Sequence, residues 1–290
     1  MFQGVLLYGL VNSAILVLLA LGFNLTFGIS GISNFAYGAI YILAGYLAWI
    51  FAHSVGLPYP VAVGLAVASA AAFGALLYRF VLLRVRGLVL SEVMATFGTG
   101  LVILELFRYL GFVGFRYTLP VFFEGSVAIG ETYLDFQRLF IVVLAAGLVT
   151  ALWLFTHYTK MGLAFRAIAQ NEETALTLGI DSDRVATWSV AFGAGLAAVA
   201  AVAILPLGTI APEGGYDILM QALAVCIVGG LGSTVGIVLA SFLIGYAQIL
   251  TAMYLETHWM ILVSLIAILL VLIVSPSGLL GRQKQLEERI

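Results

Sequence analysis

Side chains able to do chemistry are few in this chain, and their spacing excludes more than it offers. A loop that cradles nucleotide phosphates needs Gly-x-x-x-x-Gly-Lys-Ser/Thr, because backbone amides and a lysine must meet the phosphates together. The only lysines are Lys160, followed by Met161, and Lys284, followed by Gln285, so neither can end such a loop. His53, His157 and His258 are far apart, each at an expected helix end, and none has metal-ligand spacing such as His-Glu-x-x-His. The single cysteine, Cys226, lies in an apolar run and reads as a small buried hydrophobe. What remains is a set of acids in apolar surroundings: Glu92 and Glu105 in or near one long apolar segment, Glu213 and Asp217 in a glycine-rich break. An acid inside a bilayer points to function by default. Arg108 stands three residues after Glu105, however, and Arg84 and Arg86 precede Glu92, so structural pairing is expected for both glutamates. Water access is expected instead at Glu213 and Asp217.

The composition explains why acids are conspicuous. Of the 290 residues 63% are hydrophobic and 9% charged, with mean hydropathy +1.16, whereas soluble domains carry about 45–50% apolar and about 25% charged residues. No water-soluble globule can hide that much apolar surface, so the expected partner is the lipid bilayer. The net charge of -2 argues against nucleic acid. The N-terminal apolar run has neither a positive leading region nor a small-x-small cleavage site, and reads as a retained membrane helix.

A bilayer crossing takes about 20 apolar residues as a helix. Candidate spans are 4–22, 34–52, 61–78, 89–111, 138–156, 187–205, 217–230, 235–254 and 258–275, the seventh being short enough for a half-helix or a re-entrant piece. The runs are continuous and do not alternate, which excludes a membrane barrel. The expected fold is therefore an all-α integral membrane protein, a polytopic bundle of about eight or nine segments forming one domain over 1–290. Nine of the twelve basic residues fall in three clusters, Arg79, Arg84 and Arg86, then Lys160, Arg166 and Arg184, then Arg282, Lys284 and Arg289. Lys and Arg favour the cytoplasmic side. The clusters, including the C-terminus, are placed inside, and 112–137, with Arg108, Arg116 and Arg138 around it, is placed outside as a periplasmic segment able to cap the outer mouth. An even number of crossings must then separate 157–186 from the tail, so "GGLGST", 229–234, is expected to be a real turn near the inner face. The N-terminus comes out on the outer side, although the first 78 residues contain no Lys or Arg to fix it.

Three stretches break the apolar pattern with Gly, Pro or cap-forming residues: "NLTFGISGISNFAYGA" (24–39), "LPLGTIAPEGGYD" (205–217) and "GGLGST". Bare backbone in hydrocarbon is costly unless protein covers it or it lines a wet cavity, and transporters place interrupted helices at substrate sites. Asn24, Ser30, Asn34, Tyr37 and Asp217 are thus candidates for a translocation path, with Ser33 or Asn34 as N-cap of the following helix. An ordinary interfacial turn explains 24–33 equally well.

Segment 157–186 is the longest inner loop. Leu163, Phe165, Ile168, Ala175, Leu176 and Leu178 supply apolar contacts, and Asn171 is placed to cap a second short helix ending at Gly179. Such helices suit docking into a partner's groove. The stretch "KMGLAFRAIAQNEETALTLGIDSDRV" resembles the coupling loop of the LivH-type permeases of branched-chain amino acid ABC importers. Glu173-x-Ala175-x-x-x-Gly179 resembles the EAA motif of ABC import permeases, departing from it at Thr174 and in the missing hydrophobic-Leu-Pro ending. "FGISGISNFAYGAIYILAGYLA", "IVGGLGSTVGIVLASFLIGYAQ" and "VSPSGLLGR" resemble further segments of that family, so the likeness runs over nearly the whole chain.

The resemblance implies one half of an importer pore in a bacterial inner membrane. It implies a second, LivM-like permease subunit, two ATPase subunits docked on the coupling loops and a periplasmic substrate-binding protein. Arg166, Gln170, Glu172, Glu173, Ala175, Leu178 and Gly179 would form the ATPase coupling surface. The subunit itself would need no cofactor, ATP being used by its partners. Family members also carry other amino acids, urea or short amides, so the substrate stays open. An ion-coupled secondary transporter using Glu105, Glu213 or Asp217, and a passive channel for a small neutral solute, are the other readings of the residues.

Overall fold

A computed structural model describes residues 2–112, 117–130, 132–275 and 277–280. Twelve helical segments follow in order. α1 spans Phe2–Ser30 and α2 Tyr37–Trp49, prolonged by a π-helical turn Ile50–Ser54. α3 spans Tyr59–Leu77 and continues through a second π-turn, Tyr78–Leu82, into the single turn α4, Leu83–Val85. α5 is Val89–Tyr109, and a hairpin of β1 (Ser126–Ile129) and β2 (Thr132–Asp135) precedes α6, Phe136–Tyr158. α7 (Lys160–Gln170) and α8 (Glu172–Thr177) are short, and α9 runs Ser182–Ile204. α10 is Gly214–Gly229, α11 Thr234–Tyr254 and α12 Met260–Val274.

Among the described residues seven helices are long and apolar enough to cross a membrane; α2 and α10 are the shorter pieces of the bundle. The fold is all-α and polytopic, as expected, with the small antiparallel hairpin as an addition inside the stretch 112–137. α1 overruns its expected end by two turns: Asn24, Thr26 and Ser30 are still helical, and the chain turns only at Gly31, at φ 68°.

α1 and α9 form the middle of the bundle. α1 is buried on almost every side from Val11 to Leu25, and α9 presents Ala186, Ala194, Ala197, Ala198 and Ala201 to its neighbours. Small side chains let membrane helices approach until their backbones nearly touch. α6 and α12 lie on the periphery and show most of their apolar surface outward, where lipid replaces protein as the solvent.

Contacts between elements define two ends. At one, the Tyr8 hydroxyl donates to the Tyr133 carbonyl (3.1 Å), and Arg108 at the close of α5 reaches Glu213 before α10. At the other, Arg86 meets Glu172 and Asp183, and the Asn24 carboxamide accepts the Gly232 N–H (2.7 Å). The 230–233 turn is real, with Gly230 and Gly232 at φ 94° and 84° and Ser233 capping α11. It lies at the α7–α8 end. Leu279 and Leu280 bond back to Val228 and Gly229 at the same end, which agrees with the even number of crossings. Arg116, Arg282, Lys284 and Arg289 lie outside the described residues.

The α10–α11 hairpin closes backbone on backbone. A Cβ built on Gly236 would stand 1.9 Å from the Gly229 carbonyl oxygen. Gly236→Val should therefore destabilise the protein by about 2 kcal/mol or more, the cost of overpacking where backbone cannot yield. Thermal unfolding of the purified chain in detergent reads this directly, and a midpoint equal to wild type would contradict the tight hairpin.

Candidate translocation face and coupling face

After Gly31 the chain does not stay at the α7–α8 end. It climbs along α5 without helical structure, and its polar groups find partners on the way. Phe35 N–H donates to the Thr96 hydroxyl (3.2 Å), and the Asn34 side-chain oxygen accepts the Ala36 N–H (3.1 Å). Tyr37 N–H donates to the Asn34 carbonyl (3.2 Å). α2 then starts beside Gly100, near the midpoint of α5: a Cβ on Gly100 would lie 3.3 Å from Ala36 Cα. The 24–39 stretch is thus a helix end followed by a protein-covered climb to mid-depth. The expected cap is corrected. Ala36 occupies the N-cap position and contributes no side-chain bond, while Asn34 holds the turn before it.

The second break is placed from the opposite end. α9 tightens into a 3₁₀ turn, Leu205–Leu207, and Ile210 N–H donates to the Tyr117 carbonyl (2.9 Å) while its own carbonyl accepts the Tyr46 hydroxyl (3.3 Å). α10 therefore begins beside the end of α5 that carries Arg108. The starts of α2 and α10 meet: a Cβ on Gly38 would stand 1.9 Å from the Gly215 carbonyl oxygen. Two helix N-termini, each carrying about half a positive charge, converge on the flank of α5. Over this junction lies a shallow apolar depression lined by Phe35, Ala39, Gly100, Leu101, Gly215 and Leu219.

Charge borders the depression on the hairpin side. Arg108 binds Glu105 (2.7 Å) and Glu213 (2.8 Å), so the expected i,i+3 pairing of Glu105 is present and a second acid shares the guanidinium. Its own backbone N–H and Arg108 hold the Glu213 carboxyl below the usual carboxylate range. Asp217, one turn into α10, is exposed and has no ionic partner among the described residues. Glu92 is not paired with Arg84 or Arg86 as expected. It is buried and accepts the Gly87 N–H (2.8 Å), closing the turn that starts α5.

The other candidate path residues do not line the depression. Asn24 is buried and locks α1 to the 230–233 turn. Ser30 bonds back to the Thr26 carbonyl (2.7 Å) and receives the Ser189 hydroxyl (3.3 Å). Asn34 is spent on its own turn. The Tyr37 ring is buried between α1 and α9, and its hydroxyl has no hydrogen-bond partner.

The coupling segment is two capped helices on a small core of their own. Thr159 accepts the Gly162 N–H (2.9 Å) at the start of α7, and Asn171 accepts the Thr174 N–H (2.8 Å) at the start of α8, as its spacing predicts. α8 ends in a Schellman motif: Gly179 N–H bonds the Leu176 carbonyl (2.9 Å), Ile180 N–H the Ala175 carbonyl (3.1 Å), and Gly179 has φ 82°. Phe165, Ile168 and Ala175 are buried against Leu25 of α1 and Val185 of α9. The Glu173–Ala175–Gly179 spacing thereby acquires a physical meaning. Ala175 is the buried foot, Gly179 the left-handed stop, and Glu173 is exposed in the first turn.

The outward side carries leucines among polar side chains. Leu163, Leu176 and Leu178 are exposed, Leu178 by 75%, beside exposed Gln170. Arg166 is half-buried and its Nε is unpartnered. Glu172 works inside the chain: Arg86, in the link between α4 and α5, binds Glu172, Asp183 and Ser182, and Ser182 in turn donates to Glu172 (2.5 Å). Sequence reasoning missed this latch, because Arg86 and Asp183 are 97 residues apart and only the packing of α3 on α9 joins them. It also missed Thr96, whose hydroxyl reads as an ordinary helix residue until the climbing strand lies against it.

Comparisons with known proteins agree with this architecture. Residues 5–274 match the family model described as branched-chain amino acid transport system / permease component. The high-affinity branched-chain amino acid transport system permease protein LivH of Escherichia coli (strain K12) is 30% identical, with 97% of this chain and 94% of that protein aligned. The permease protein LivM of the same strain is 28% identical over 92% of this chain and 68% of its own length. Among solved structures, a chain of PsaBC from Streptococcus pneumoniae in complex with Fab matches with a TM-score of 0.51 at 10% identity, covering 94% of this chain and 92% of that one, a likeness of fold. With two interrupted helices meeting at Gly38 and Gly215 and a capped helical pair at one end, this multi-pass membrane chain belongs to the branched-chain amino acid transport system permease family.

Proposed function

We propose that this chain is one half of the pore of an ATP-binding-cassette importer for branched-chain or related amino acids in a bacterial inner membrane, with the α7–α8 end and the C-terminus cytoplasmic. The observation that carries the reading is the α7–α8 pair. Its helices are capped at both starts, seated on their own core and tied down through Glu172, yet they hold three leucines away from the protein. A carrier that works alone has no use for such a surface, whereas an ATPase subunit needs a stiff apolar handle to push on. Two ATPase subunits would dock there, using ATP that this chain has no phosphate loop to bind.

The substrate would pass over the α2–α5–α10 junction. Asp217, in the first turn of α10, is exposed and has no ionic partner among the described residues, so the α10 face bearing it belongs against water or a second subunit and not against hydrocarbon. The second permease fits that face, and the match of one chain to both LivH and LivM supports a pseudo-symmetric pair. Between the halves, the apolar depression suits an aliphatic side chain. The helix N-termini suit a carboxylate and the acids around Arg108 an ammonium group. Asp217 lines this route directly, and Asn24, Ser30, Asn34 and Tyr37 support it without lining the depression. A substrate-binding protein would deliver its cargo at the hairpin end.

Two measurements test this. Leu178→Asp and Glu173→Arg alter exposed positions; each should leave insertion and thermal stability unchanged while lowering ATP-driven uptake at least tenfold. Normal uptake in both would remove the docking surface. For the path, the single native thiol is buried, so introduced cysteines report cleanly. In the assembled transporter Leu101→Cys should react with a membrane-impermeant maleimide, and Leu269→Cys on the outward side of α12 should not. Equal protection of both would place Leu101 in lipid or in a sealed contact and refute the route.

A further inference from the structure

A cleft of about 260 Å³ opens at the α7–α8 end, where the π-turn after α3 passes the start of α9. It is lined by Tyr78, Arg79, Leu83, Asp181, Asp183, Arg184 and Thr187. The acids are already matched. Asp183 takes Arg86 and the Tyr78 hydroxyl (3.3 Å), and Asp181 takes Arg184 Nε (2.9 Å). That contact uses one edge of the Arg184 guanidinium and leaves its terminal nitrogens free. Arg79 is exposed and has no ionic partner among the described residues. The cleft therefore offers two guanidinium edges that no carboxylate takes up, Arg79 and the terminal nitrogens of Arg184, beside acids held by their own partners.

Its surroundings fix the depth. Leu76 and Phe80 lie on the same face of the α3 extension as Arg79 and Leu83, at i,i+3 and i,i+4 spacing, and both are exposed to lipid. Trp188, in the turn of α9 after Arg184, is exposed as well, and tryptophan marks the membrane–water boundary. An apolar track thus leads to two guanidinium groups at the end of the membrane helix. We infer that this cleft binds the phosphate of an anionic phospholipid from the leaflet at the α7–α8 end, its acyl chains lying along Leu76 and Phe80 and its phosphate held by Arg79 and Arg184. The membrane source is favoured over a dissolved anion because the apolar track would be idle for the latter. The guanidinium forks suit phosphate geometry better than ammonium groups would. Because Asp183 lines the cleft and also belongs to the Arg86 latch, a lipid seated here lies beside the contacts that hold α8 to α9.

Native mass spectrometry of the full-length chain released from detergent tests the assignment, with phosphatidylglycerol or phosphatidylcholine added. One phosphatidylglycerol should be retained at least fivefold more strongly than phosphatidylcholine. Arg79→Gln/Arg184→Gln should abolish the preference. Arg84→Gln, which removes a basic residue of the same cluster that does not line the cleft, should keep it, and Arg79→Lys/Arg184→Lys should restore part of it. A preference that survives the Gln pair, or falls equally with Arg84→Gln, overturns the site in favour of diffuse attraction to the basic surface. Displacement of the lipid by millimolar inorganic phosphate overturns the lipid as ligand. If the Gln pair fails to fold, the same comparison made with Arg79→Gln alone decides, with a loss of preference of at least twofold expected.

Discussion

Backbone that leaves the helix inside a membrane must find its hydrogen bonds in protein, since hydrocarbon offers none. This constraint shapes the molecule more than any side-chain contact. The 31–36 climb is possible because α5 places Thr96 where Phe35 N–H needs an acceptor and because Asn34 satisfies Ala36. The 205–213 break is possible because Tyr117 and Tyr46 meet the two polar groups of Ile210. Each break ends in a new helix, and the two new helices start against each other. Had either break lacked its partners, the chain would have had to stay helical, and no interior helix terminus would exist to face a solute.

Close approach of backbones follows from the same economy. Gly38 against Gly215 and Gly229 against Gly236 bring chain to chain with no side chain between. Such contacts are stiff, because any movement exchanges well-fitted surface for a void or a clash. The bundle around α1 and α9 is therefore suited to move as a body. Pliable contacts are found at its ends, in the ion pairs at Arg86 and Arg108, whose partners are half exposed to water.

Much of this was legible in the sequence, and the illegible part has a physical pattern. The membrane helices are runs of apolar residues and announce themselves. The turn at 230–233 followed from the balance of basic residues, and the α8 cap and stop from the Asn171 to Gly179 spacing. What stayed hidden depends on tertiary neighbours. α1 continues through Asn24 and Thr26 because those residues bond to the 230–233 turn and to α9, which no local propensity can reveal. Asn24 and Asn34 look like path residues for the same reason that they are good supports: a polar group in an apolar run must be bonded to something, and pattern alone does not say whether that is a solute or the protein. Glu172 is the parallel case in the coupling segment, an acid that reads as a docking residue and is held by Arg86.

The latch at Arg86 then decides how a push at α7–α8 can travel. Arg86 sits between α4 and α5 and holds α8 and α9 together, while α5 carries Gly100 against the junction of α2 and α10. Partly exposed ion pairs are worth about 0–1 kcal/mol each, far less than the packing lost by parting two glycine-on-backbone surfaces. A force on the outward leucines will therefore rearrange the charges at Arg86 before it separates the helices. Gly87, at φ 87°, and the Glu92 bond define the corner from which α5 starts. Under the proposed function, a tilt of α5 about that corner would carry its middle past the starts of α2 and α10, which Gly100 and Leu104 touch.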